Sequence, residues 1–281
     1  MADLITGNTQ LAPTKADVIT ALVQKELAFK SKLLSTVLDV SSFAIKGAKS
    51  ISFPKYTSFT VVNRASGVAG DASQLTALVD KLDLNFNDYV SYIIDSFDEV
   101  QSSVENQSLF AQRAAAAQAR YVDTQIVTAL VAAAGLDVGA APITRDFILA
   151  MMTFIEGNDG NLDQTVLVIP PAQKAEMLKI ADFSQAQVYG MAVIPNGMIG
   201  SVYGIPVIVS NALVSTSALM YDKDGMACGF QKSPSMSEQG ANEYGTGAVR
   251  VAIDQLFGVR ALQTGEKGTT VNVTSPLIAK M

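Results

Sequence analysis

The chain has 281 residues, 49% of them hydrophobic, enough for one large domain or two intertwined ones. It contains no histidine, no tryptophan and one cysteine, which excludes histidine triads and zinc sites, internal disulfides and CxxC knuckles. A net charge of −6 with no run of Lys or Arg argues against a dedicated nucleic-acid binder, though a nucleic acid remains possible as a neighbour.

Residues 1–13 are polar and weakly patterned and read as an extended arm. No apolar run precedes Lys15, the first basic residue, so a secretory signal is not expected and the product is expected in the cytosol when made. Thr14-Lys15-Ala16-Asp17 has the form of a helix cap. Val18, Ile19, Leu22, Val23, Leu27, Leu33, Leu34, Val37 and Leu38 then recur at helical spacing. An ordinary core helix and an arm that docks on a neighbour both fit that stripe.

Ile51, Phe53, Tyr56, Phe59 and Val61 give a strand pattern interrupted by Pro54, which points to an edge position. Asn63 to Gln74 is a polar tip containing Gly67 and Gly70. The returning strand is expected over Leu78 to Ile94, where Leu82, Leu84 and Phe86 alternate with Asp83, Asn85 and Asn87. An isolated two-stranded arm is marginal, so its own domain or another subunit must cover it, unless it is a lid over an active site.

From Asp71 to Ala134 there is neither Gly nor Pro. Ser96 to Glu99 and Ser102 to Glu105 are alternative capping boxes, and Gly135 is a stop. The helix between them should run for about 33 to 39 residues, or about 50 to 58 Å. Val100, Val104, Ala111, Ala115, Ala119, Val122, Ile126, Leu130 and Ala133 lie near one face, and Ala114 to Ala117 allows close approach of a sheet. Glu105, Gln112, Arg113, Arg120 and Asp123 are expected on the polar remainder. A rod of this kind suits a building block better than an active site. Its most apolar stretch, Ile126 to Ala134, is too short to span a bilayer.

Pro142 marks a boundary. Thr144 to Glu156 reads as a helix with Phe147, Ile148, Met151, Met152 and Ile155 inward. Thr165 to Ile169 reads as a buried strand, Ala172 to Ala181 as a helix, and Pro206 to Val209 and Leu219 to Tyr221 as further strands. This is a compact α/β unit inserted before the C-terminal strands. Val249, Val251 and Ile253 alternate with Arg250, Ala252 and Asp254, and Thr269 to Val273 alternates again.

No constellation in the chain supports catalysis. Cys228 sits among Met226, Ala227, Gly229 and Phe230 and reads as a small core residue. Gly157-Asn158-Asp159-Gly160 and Asp222-Lys223-Asp224-Gly225 resemble calcium loops only superficially. With the second Gly at loop position six, Ile155 or Met220 falls where Asp is needed, and Val166 or Gln231 where Glu is needed, so both read as turns. Gly197, Gly200 and Gly204 form a Gly-rich stretch with no Gly-Lys-Ser/Thr after it, and there is no GxSxG elbow. Asp95, Asp98 and Glu99 suit a helix N-terminus, and the methionines read as core filler. Asn106-Gln107-Ser108 and Asn272-Val273-Thr274 match the glycosylation pattern by chance. No catalytic, cofactor-binding or metal-binding residue is expected.

The order of elements carries more information than any motif. Ser91 to Leu130 resembles a junction of hairpin and spine helix, Thr165 to Leu178 a strand, Pro and helix unit, Gly197 to Ser210 a Gly-Ile-Pro-Val turn and strand, and Ala248 to Gly265 a pair of closing strands. Together these resemble the tailed-bacteriophage major capsid proteins of the Hong Kong 97-type fold, over nearly the whole chain. The resemblance implies an α+β fold. Residues 1–44 would be an N-terminal arm reaching a neighbour. Residues 45–98 would be the extended hairpin, or E-loop, with its return strand. Residues 99–141 would carry the spine helix of a peripheral domain, 142–245 an axial domain at the capsomer centre, and 246–281 strands that rejoin the peripheral domain.

The resemblance also implies pentamers and hexamers of this chain closing into an icosahedral shell around the phage genome. It implies a portal, packaged DNA as a non-specific neighbour, no membrane and an assembly route in the host cytoplasm, and it allows a decoration protein. Some relatives carry a long cleaved scaffolding extension before the arm. Here the arm begins almost at once, so a separate scaffolding protein is expected. Some relatives crosslink an E-loop lysine to a neighbour. Nothing selects among Lys46, Lys49, Lys55 and Lys81, so no crosslink is expected. The alternatives are an encapsulin-type nanocompartment shell and, from another class, a cytosolic α/β ligand-binding protein or enzyme with residues 63–74 as its lid.

Overall fold

The structure, a computed structural model, describes residues 31–56, 63, 66, 77–95, 106–139, 141–180, 198–239, 248–262 and 275–281. Four expectations lie outside the described residues: the arm helix before residue 31, nearly all of the hairpin tip, both alternative helix starts, and the strand over 269–273. The end of the expected helical stripe, Leu33 to Leu38, is described and is not α-helical: Leu34–Thr36 is a single 3-10 turn and Leu38–Asp39 a short strand. In chain order the principal strands are β1 (Leu38–Asp39), β2 (Ser50–Tyr56), β3 (Ala77–Asp83), β4 (Phe86–Asp95), β5 (Ala134–Asp137), β6 (Thr165–Ile169), β7 (Met198–Val202), β8 (Ile205–Val209), β9 (Leu219–Asp222), β10 (Met226–Gln239), β11 (Ala248–Ala261) and β12 (Ser275–Lys280). The helices are α1 (Asn106–Ala133), α2 (Arg145–Glu156) and α3 (Pro171–Met177). Two units result, one from Met1–Lys49, Asp83–Ile126 and Cys228–Val259, the other from Ser50–Leu82, Val127–Ala227 and Arg260–Met281.

In the first unit a four-stranded sheet has the order β1-β10-β11-β4. β4 and β11 are antiparallel, with Val90 opposite Ile253, Asp88 opposite Gln255 and Phe86 opposite Phe257. The two-residue period of a strand puts Val251, Ile253, Gln255 and Phe257 on one face, and all four are buried. Ala111, Ala114 and Ala115 of α1 pack against Ile253, with Val90, Phe110 and Met236 around them. Alanines bring the helix close to the sheet, and Gln118 Nε2 donates to the Ile253 carbonyl at 3.2 Å. Phe257 is fully buried and stacks on Phe86 at 5.2 Å, with Tyr121 edge-on at 6.1 Å and Phe230 at 5.5 Å.

Of the expected apolar stripe of the long helix, Ala111, Ala115, Ala119, Val122, Ile126 and Leu130 are buried, and Ala133 at its end is half-buried. The described helix spans 28 residues, about 42 Å, and the chain enters β5 at Ala134, one residue before the expected stop at Gly135. Asp123 departs from expectation. It is 7% exposed rather than on the polar face. Its carboxylate accepts from the Ser31 hydroxyl at 2.7 Å and from the Lys32 and Leu33 amides at 3.2 and 3.3 Å. A segment far away in the chain covers this side of the helix, which helical periodicity does not reveal.

The returning strand expected over 78–94 is two strands. β3 pairs with β2 in a separate two-stranded sheet, and β4 pairs with β11. The chain changes partner at Leu84, whose amide donates to the Lys49 carbonyl at 3.0 Å. Apolar alternation continues through that point, so the pattern alone does not mark the break. Pro54 lies within β2, which among the described residues has only β3 as a ladder partner, in keeping with an edge proline.

The second unit contains a six-stranded sheet in the order β5-β12-β9-β6-β8-β7. β6 is parallel to β8 and antiparallel to β9, and all five of its residues are buried, as expected of a strand covered on both faces. α2 begins where Thr144 accepts the Phe147 amide and turns Ile148, Met151 and Ile155 inward. These pack with Leu167, Ile169, Val207 and Met220 in one core. α3 ends at Met177, sooner than the expected helix to Ala181, of which residue 181 lies outside the described residues. Gln173 ties it down, accepting the Ile143 amide at 2.8 Å and donating to the carbonyls of Ala141 and Ser215.

Two boundaries shift from those expected. β11 belongs with β4, but β12 lies between β5 and β9 in the second unit, so residues 246–281 do not form one set of closing strands. β10 belongs to the first unit from Cys228 onward, so the compact middle unit ends near Ala227 rather than at 245. β12 is placed by the burial of Leu277, Ile278 and Ala279, three consecutive residues whose lack of alternation suits an interior strand.

Candidate assembly surfaces

In the first unit, a loop between β1 and β2 presents large apolar side chains to solvent on a fixed backbone. Phe43 and Ile45 are 65% and 69% exposed, while Ala44 between them is buried. Asp39 accepts the Ser41 amide at 2.9 Å, Ser41 Oγ accepts the Phe230 amide at 3.0 Å, and the Val40 amide donates to the Cys228 carbonyl at 2.9 Å. Gln231 Nε2 donates to the carbonyls of Ile45 and Ala48, both at 2.8 Å. Three polar side chains therefore hold the loop, and its two apolar side chains point outward. A rigid apolar projection contacts a partner without a further ordering cost.

Strand β4 is the outer strand of its sheet and exposes Tyr89, Tyr92 and Ile93. Edge strands of ten residues with exposed apolar side chains favour association. In the second unit, Val79 of β3 is 63% exposed, and Asp80 is held by Arg260 at 3.4 Å. The β7–β8 turn places Tyr203 and Gly204 at φ 50° and 87°, the left-handed pair of a tight hairpin, with Tyr203 exposed at the tip.

The residues singled out in the sequence fall as follows. Cys228 is 1% exposed, and burial, helped by the charge of Asp39, pushes its thiol up to about 12, so it is an inert core residue. Asp222 accepts the Asn161 amide at 2.8 Å and the Asp224 amide at 3.1 Å, so its loop is a hydrogen-bonded turn that ties two loops together. Gly157 to Gly160 is likewise a turn, with Asp159 at φ 61°. Lys46, Lys49 and Lys81 are exposed. Among the described residues no cluster of three or more metal-ligating side chains occurs, and no helix is long and apolar enough to cross a membrane.

Sequence reading missed the buried polar groups. Beside Asp123, Gln255 is 1% exposed and donates to Asp88 at 2.8 Å, and Gln118 is 1% exposed beneath the sheet. Burial raises the pKa of both Asp88 and Asp123, and their hydrogen bonds offset part of that rise. Gln255 alternates in phase with buried Ile253 and Phe257, and Asp88 with half-buried Phe86 and Val90, which is the one signal that marks them in the sequence.

The profile of the phage capsid protein family matches residues 102–270. No curated protein sequence matches the chain. Solved structures do. A chain from Mycobacterium phage Che8 superposes with a TM-score of 0.69 at 17% identity, over 89% of this chain and 90% of that one. A chain from the mature capsid of bacteriophage PhiM1 gives 0.64 at 13% identity, over 89% and 86%. A chain from a virus-like particle of Pyrococcus furiosus gives 0.63 at 9% identity, over 95% and 99%. The likenesses establish the Hong Kong 97-type fold, and with the profile match over more than half of its length the chain belongs to the phage capsid protein family.

Proposed function

We propose that this chain is the major capsid protein of a tailed bacteriophage, assembling as pentamers and hexamers into an icosahedral shell that encloses the genome. The family match over residues 102–270 carries this reading. In it, the β2–β3 hairpin is the E-loop, α1 the spine helix, the unit around the six-stranded sheet the axial domain, and residues before Ser31 the arm that reaches a neighbour. The pinned Phe43–Ile45 loop and the edge strand β4 support it, because a heterologous contact repeated around an axis closes a ring. Spreading the interface over several neighbours lets modest contacts sum. No step in this role needs a cofactor, a metal or a catalytic residue. The shell takes a scaffolding protein and a portal as partners, is assembled in the host cytoplasm, and has room for a decoration protein.

Negative-stain microscopy of the expressed protein, with and without a co-expressed scaffolding protein, tests the reading. Uniform shells, tubes or rings are expected. A monomer under every condition defeats it. Shells that purify with protein cargo in place of DNA point instead to an encapsulin-type compartment.

A further inference from the structure

Helix α1 has three charged residues, Arg113, Arg120 and Asp123. The one acid among them is buried against Ser31, Lys32 and Leu33. The open face of the helix is therefore wholly cationic, on a chain whose net charge is −6. Arg113, Ala117, Arg120 and Thr124 are all exposed. At 100° per residue the two arginines lie about 20° apart around the axis, with Ala117 and Thr124 between and beside them. Among the described residues no carboxylate pairs with either guanidinium. Ala117 and Thr124 on this face are small, which leaves room for a partner to approach the two arginines.

We propose that this stripe is a contact site for the phosphodiester backbone of duplex DNA. Seven helical positions span about 10.5 Å, a separation that two long, flexible arginine side chains can adapt to phosphates spaced along a duplex strand. Arg113 and Arg120 can therefore engage one strand together, each guanidinium forked on a phosphate. A two-phosphate contact is weak in a single subunit and sums over many copies lining a closed surface. The contact is independent of base sequence and sensitive to salt. It deepens the shell reading and rests on it, because it assigns the open face of α1 to the side of the shell that meets the genome.

The test places a reporter between the arginines. Ala117→Cys is labelled with a benzophenone maleimide, and Cys228 stays unlabelled because it is buried. DNA-filled particles are irradiated, and adducts are separated into protein–DNA and protein–protein. Protein–DNA adducts are expected. R113Q/R120Q on the labelled chain should reduce their yield about threefold or more at low salt, and R113K/R120K should restore most of it. Adducts to a second copy, or a DNA yield unchanged by charge removal, overturn the proposal. So does a labelled chain or charge variant that keeps the wild-type circular dichroism but forms no particles where the unmodified chain does, since the stripe is then a subunit contact. If the unmodified chain forms no particles at all, microscopy shows that the shell reading has failed, and this inference falls with it.

Discussion

The carboxylate of Asp123 accepts the Ser31 hydroxyl at 2.7 Å across 92 positions of chain. Ser31 Oγ in turn accepts the Leu34 amide at 3.2 Å, so one buried acid in the middle of α1 organises the turn that leads into β1. The segment around Ser31 is thereby fixed to α1, and Leu33 is buried beside it.

Asp123→Ala should cost about 1–3 kcal/mol, because the Ser31 hydroxyl and two backbone amides lose a buried acceptor. Asp123→Asn keeps an acceptor and should cost less. The pH dependence separates them further. Burial raises the folded-state pKa above the ordinary 3.8, so in that window the folded state binds more protons than the unfolded one. Asp123 therefore stabilises the fold below its ordinary value, and that contribution is lost as pH rises through the raised one. Urea unfolding between pH 3.5 and about 7 should show a shallower fall in stability for Asp123→Asn than for wild type. Equal slopes would contradict the assignment.

Phe257 is the hub of the aromatic group formed with Phe86, Tyr121 and Phe230. Phe257→Ala should destabilise by about 3–5 kcal/mol, and Phe257→Leu by less. Denaturant titration reads the loss. A cost for Phe257→Ala under about 1 kcal/mol would mean that the ring contacts add little.

Cys228 should react with a disulfide reagent at pH 8 on the order of a hundredfold more slowly than a free thiol, and at the ordinary rate once urea unfolds the chain. Cys228→Ala should leave assembly unchanged. Rapid labelling of the native protein would show that the β10 core opens readily.

Gly160 has no room for a side chain: a Cβ there would lie 2.4 Å from Ile155 Cγ2 and 3.0 Å from Leu277 Cδ2. Gly204 has open space but φ 87°. Gly160→Ala should therefore cost about 1–3 kcal/mol through overpacking, and Gly204→Ala about 1–2 kcal/mol through backbone strain. Thermal unfolding measures both. A variant with Ile155 or Leu277 trimmed should relieve Gly160→Ala and not Gly204→Ala if the two causes differ as stated.

Much of the architecture is local physics and was legible in the chain itself. The apolar stripe from Ala111 to Leu130, the cap at Thr144, the buried run Thr165 to Ile169 and the core setting of Cys228 all follow from periodicity, capping chemistry and composition. The lack of histidine is likewise a property of the sequence alone. Tertiary structure alone decided the rest, because each remaining feature joins residues far apart in sequence. Alternation reads the same through Leu84 whether a strand keeps its partner or changes it, so only pairing separates β3 from β4. Burial of Asp123 depends on Ser31 arriving from elsewhere. The cationic face of α1 exists for the same reason: covering one acid leaves Arg113 and Arg120 as the exposed charges of the described helix, and no local count of charge contains that subtraction.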